Sequence, residues 1–139
     1  MSYEEKGTWV YLVVSLGTYA VYVAVILGRA GTVPLAEVAY VAPMLWTIGI
    51  AILASVLGRV AVEIVKPSDS HKGDVRDKEI NRFGDYVGFS VLAVGILPAL
   101  VLTMLESEYF WIANAIYAAY ILNALTASVV KLVAYRRGM

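Results

Sequence analysis

The residues best suited to chemistry gather in one stretch, KPSDSHKGDVRDKEINRFGDY, from Lys66 to Tyr86. It carries ten charged side chains and the only histidine, His71. Asp69, His71, Asp74 and Asp77 supply the oxygen and nitrogen donors that a metal ion would take. A structural or catalytic zinc site draws on several imidazoles or thiolates at set spacings. This chain has a single imidazole, no cysteine and no H-E-x-x-H. A catalytic histidine needs a nucleophile or a second proton carrier beside it, and the spacing offers none. The sequence predicts no catalytic, cofactor-binding or metal-ligating residue. The mixed charges read as a solvated face or as a docking surface.

Polar side chains inside the apolar blocks are few. Arg59 and Glu63 stand four apart, on one helix face. They read either as an ion pair lining a path or as groups at the headgroup level, with Arg59 snorkelling. Asn114 is near the end of its block. Asn123 is near the middle and needs a hydrogen-bond partner, so it reads first as glue between helices and second as a ligand contact. Tyr11, Ser15 and Tyr19 share a face and can line a cavity or bond to neighbouring backbones. No Asp, Glu, Lys, Arg or His falls near the middle of any block, which argues against a proton relay or an ion-coupled transporter.

The elements that position these residues follow from hydropathy. Of the 139 residues, 60% are hydrophobic, and they lie in long blocks. A bilayer core about 30 Å thick needs about 20 apolar residues per crossing helix. Four blocks meet this, at about 9–27, 38–65, 86–105 and 110–133, with a polar loop over 66–85. The fold class is therefore all-α: a polytopic membrane protein, one domain over 1–139, its four spans in two hairpins. The first block follows Glu4, Glu5 and Lys6 and lacks a small-residue cleavage site, so it reads as a span and not as a signal peptide. Without cysteine there are no disulfides. A net charge near zero gives no bulk attraction for nucleic acid.

Basic residues set orientation. The side with both termini and the central loop carries Lys6, Arg59, Lys66, Lys72, Arg76, Lys78, Arg82, Lys131, Arg136 and Arg137; the other carries Arg29 alone. The expectation is a multi-pass protein of the plasma membrane with cytoplasmic termini.

Two patterns predict how the helices meet. Pro43, Thr47, Ala51, Ser55 and Arg59 align at an offset of 72 with Ala115, Ala119, Asn123, Ala127 and Lys131, a weak sign of duplication. The second row, with Gly84 and Gly88, supplies small side chains for close helix packing. In the polar loop, Asp74 can cap a helix. Ile80, Phe83 and Val87 then give an apolar edge, with Arg76, Asp77 and Arg82 between them. This predicts a short amphipathic helix on the inner surface or running into the third span.

The stretch DVRDKEINRFGDYVG, Asp74 to Gly88, resembles the D-x-R-D-x-x-I motif of a family of small, uncharacterised bacterial and archaeal predicted membrane proteins. Those proteins have a comparable four-span layout with the motif before the third span. The opening EEKGTW, Glu4 to Trp9, is similar to the start of some bacterial members. The resemblance implies no known activity; it suggests a cytoplasmic regulator as a possible partner.

Three functions fit. The first is a non-enzymatic assembly or regulatory module, partnering itself or another protein through Asp74, Arg76, Asp77, Arg82, Arg59 and Glu63. The second is a small oligomeric transporter or channel. The third is a lipid-headgroup-binding protein that uses Arg59, Arg76 and Arg82. A tight, dry bundle favours the first; a space enclosed between spans favours the second or third.

Overall fold

The computed structural model describes residues 1–68 and 74–138. Helix α1 covers Tyr3–Arg29, α2 Val41–Val65, α3 Val75–Gly95, α4 Leu97–Met104 and α5 Tyr109–Arg137; a single 3-10 turn, Leu35–Glu37, precedes α2. Among the described residues four helical stretches are long and apolar enough to cross a membrane: α1, α2, α3 with α4, and α5.

Local chemistry explains the boundaries. Helix α1 begins six residues before the apolar block because Ser2 caps it: the Glu5 N–H donates to Ser2 Oγ at 3.1 Å. Glu4 and Glu5 in the first turn and Arg29 in the last suit the helix dipole. Helix α2 starts at Val41 and not at 38, since Val38 closes the preceding 3-10 turn. Helix α3 opens on a reciprocal capping box. Asp77 N–H donates to Asp74 Oδ1 at 2.7 Å, and Asp74 N–H donates to Asp77 Oδ2 at 3.2 Å. Residues 75–85 are thus the first three turns of α3, unbroken into the apolar block, and the polar connection shortens to 66–74. His71 and Asp69 lie outside the described residues.

Pro98 interrupts the third stretch. Its missing N–H cannot bond the Val94 carbonyl, and the helix restarts as α4 after a break at Ile96. Helix α5 ends on Gly138 in the left-handed conformation, φ 74°.

Helix α5 is the hub: it packs on α1, α3 and α4, and α1 also packs on α2. Small residues let α3 and α5 approach closely. A Cβ on Gly84 would strike the Lys131 side chain and come within 3.1 Å of the Ala127 carbonyl. One on Gly88 would strike Asn123 and come within 2.9 Å of Ala127 Cβ. Ala119 and Ala127 are buried, and Ala115 is half-buried. Of the apolar edge on α3, Ile80 is fully buried, Val87 is half-buried and Phe83 is exposed. The edge is thinner than its spacing predicts, because the Gly84–Gly88 face occupies the contact with α5.

At the end of the bundle opposite the termini, aromatic rings and hydroxyls tie α1, α2 and α5 together. Tyr19 meets Tyr117 edge-on with centroids 5.2 Å apart, and Tyr22 lies 4.9 Å from the same ring. The Tyr22 hydroxyl donates to Asn114 Oδ1, and the Thr47 and Tyr117 hydroxyls share a hydrogen bond of 3.0 Å.

Candidate functional site

The motif residues Asp74, Arg76, Asp77 and Ile80 build one node joining α1, α3 and α5. Asp77 is 7% exposed. Its Oδ1 accepts from the Tyr135 hydroxyl at 2.7 Å and from Ser2 Oγ at 3.3 Å. Arg76 Nη2 donates to the Tyr135 carbonyl at 2.8 Å, and its guanidinium lies 5.5 Å from the Tyr135 ring centre. Ile80 packs with Ala134 and Tyr135. Every residue type in the D-x-R-D-x-x-I spacing has a structural task here: cap, bridge to a carbonyl, buried acceptor, apolar anchor. Arg82 is exposed and stands apart from the node.

A second cluster fastens α1 to the end of α2. Lys6 Nζ donates to Glu63 Oε2 at 3.4 Å, to Ser68 Oγ at 2.7 Å and to the Lys66 carbonyl. Ser68 N–H also donates to Glu63 Oε1 at 2.6 Å. Glu63 is therefore engaged with α1 and the Ser68 turn, while Arg76 reaches α5.

Between these fastenings α2 and α5 do not close on each other, and the space they leave is a cleft open at the bundle surface, where Ile52, Val56 and Tyr120 on its walls are exposed. An apolar cavity of about 730 Å³ lies between α1, α2 and α5. Its walls include Ser15, Ala51, Ser55, Ile116 and Ala124. Toward the termini a polar cavity of about 470 Å³ adjoins it. Tyr11, Asn123 and Ala124 line both, so the two spaces share a wall. The polar one is bounded by Glu4, Gly7, Arg59, Asn81, Asp85 and Lys131 among others. Both volumes fall in the range of small-molecule sites, about 300–1,000 Å³.

The charges of the polar cavity are unevenly satisfied. Lys131 Nζ is held by Asp85 Oδ1 at 2.7 Å. Among the described residues Glu4 Oε2 accepts only a long bond, 3.4 Å, from the Asn81 amide. Arg59 has no carboxylate within ion-pair distance among the described residues. Its guanidinium lies 5.3 Å from the Tyr3 ring centre, and a Cβ at Gly7 would strike it. Gly7 thus makes the space through which Arg59 passes beside α1. The Asn123 side chain makes no hydrogen bond among the described residues; it lies against Gly88 and borders both cavities. The expected interhelical bond of Asn123 is replaced by a packing contact and a free amide at the junction.

The sequence points to Arg59, Asn123, the Tyr11–Ser15 face and a pairing of Asp85 with Lys131 or Arg59, of which the Lys131 pair forms, but not to Glu4, Lys6 or Tyr135 as parts of a site. Glu4 and Lys6 read as a flank. Their signal is weak: Glu4, Gly7 and Tyr11 recur at three- and four-residue spacing, on one face of α1. Comparison with family models, with curated proteins and with solved structures finds no match.

Proposed function

We propose that this chain is a non-enzymatic, four-span protein of the plasma membrane that holds an amphipathic membrane molecule, a lipid, between α1, α2 and α5. In this reading its helices form two hairpins and both termini are cytoplasmic, as the distribution of Lys and Arg supports. The first turns of α3 are then the amphipathic element at the inner surface. The resemblance of Asp74–Ile80 to small four-span membrane proteins is compatible with it. The observation that carries the proposal is the pair of adjoining cavities, one apolar, the other polar and next to Arg59, which has no carboxylate within ion-pair distance among the described residues. A soluble metabolite has no use for the apolar cavity. An acyl chain alone has none for Arg59. The assembly-module reading called for a dry bundle, and the cavities favour the lipid reading over it. Among the basic residues expected to meet headgroups, Arg59 keeps that role. Arg76 is spent on Tyr135, and Arg82 lies away from the cavities.

The test is retention. Protein extracted in a mild detergent and exchanged repeatedly into a lipid-free one should release close to one lipid per chain on solvent extraction. Ala51→Trp, which fills the apolar cavity, should abolish retention while leaving the helical circular dichroism intact. If the wild type retains no lipid, or if Ala51→Trp retains as much, the reading is wrong.

A further inference from the structure

The charges around the polar cavity select among lipid headgroups, an inference that rests on the lipid reading above. We propose that the headgroup is a phosphate diester bearing a primary amine, as in phosphatidylethanolamine, with its phosphate at Arg59 and its ammonium at Glu4. A purely anionic headgroup would be met by Arg59 but would also face the carboxylates Glu4 and Asp85 in the same space. Lys131 cannot offset both, because its ammonium is committed to Asp85 at 2.7 Å. What is left is one cation, Arg59, and one carboxylate, Glu4, whose described hydrogen bond is the long one from Asn81.

The two charges line the same cavity without pairing to each other. The Arg59 guanidinium lies against Gly7, and Glu4 is three residues earlier on the same face of α1, about 4.5 Å along the helix axis. In phosphoethanolamine the nitrogen is four bonds from phosphorus, a separation of the same order. A guanidinium takes a phosphate through paired N–H donors. A carboxylate takes a primary ammonium through up to three N–H donors, whereas a trimethylated amine has none to offer. Asn123, its side-chain amide without a hydrogen bond among the described residues, borders both cavities and stands where the polar glycerol esters would give way to acyl chains.

The experiment is native mass spectrometry of the full chain after incubation with equal amounts of phosphatidylethanolamine, phosphatidylcholine and phosphatidylglycerol of identical acyl composition. Free O-phosphoethanolamine is run as a separate arm. The ethanolamine lipid should bind at least about tenfold better than the choline lipid, the effect of one charge-assisted hydrogen bond. Glu4→Gln should erase that preference while lipid still binds. Arg59→Gln should weaken all three lipids, and Arg59→Lys should restore part of the loss. The exposed control Lys78→Gln should change nothing. Equal binding of the ethanolamine and choline lipids, a glycerol-lipid preference, or a preference untouched by Glu4→Gln overturns the headgroup assignment and leaves the lipid reading standing. No binding of any lipid overturns both. Binding of free O-phosphoethanolamine as tight as that of the whole lipid keeps the headgroup and removes the lipid.

Discussion

Removing Asp77 should loosen the end of the bundle that carries both termini, and the size of the effect follows from its bonds. Asp77→Ala removes the acceptor for the Asp74 N–H and for the hydroxyls of Ser2 and Tyr135. Losing half of a capping box costs about 1 kcal/mol. Leaving the hydroxyl of Tyr135, itself 8% exposed, without a partner costs about 1–3 kcal/mol more. The sum is about 2–4 kcal/mol. Tyr135→Phe should cost less, about 1–2 kcal/mol, because Asp77 keeps its other donors. The double variant should lose little beyond Asp77→Ala, giving a coupling of about 1–2 kcal/mol. The assay is equilibrium unfolding in mixed micelles, followed by circular dichroism. Additivity of the two substitutions within about 0.5 kcal/mol would refute the idea that the motif works through Tyr135.

Three further outcomes are expected. Gly88→Ala should destabilise by about 1–3 kcal/mol, since its methyl would press on Asn123 and Ala127, whereas Gly17→Ala and Gly49→Ala meet open space and should be neutral or stabilising. Ala119→Leu, on the buried face opposite Gly95, should lower the unfolding midpoint in detergent more than Ile121→Leu does. Reporters fused at Met139 or inserted at His71 should register the cytoplasm and one at Ser107 the outside; an outside signal at His71 would overturn the orientation.

The four long apolar helices were legible because an apolar block about 20 residues long has few alternatives. Their ends were not, because they depend on caps. A serine at position 2 moves the start of α1 six residues ahead of its apolar block. Pro98 was visible, but whether it ends a helix or only breaks it depends on the residues around it. The node was half legible. Asp74 as a cap follows from residue type, but Tyr135 is 58 residues from Asp77 in sequence and no local pattern marks the pair. The cavity was hidden for a different reason. The row Thr47, Ala51, Ser55 suggests close packing, and small residues equally leave space when the facing helix does not close on them. Ala51 and Ser55 line the apolar cavity, while Gly84 and Gly88 on α3 are packed tight. Composition does not distinguish the two cases; the course of the neighbouring backbone does.

The central claim is that the space between α1, α2 and α5 is occupied by a lipid in the membrane. Its most direct test is crystallography of the protein grown from a lipidic mesophase. Continuous elongated density should run from Arg59 and Glu4, past Asn123, to the walls formed by Ala51 and Ile116. Side chains collapsed into that space, or ordered water at Arg59 with nothing beyond Asn123, would contradict it.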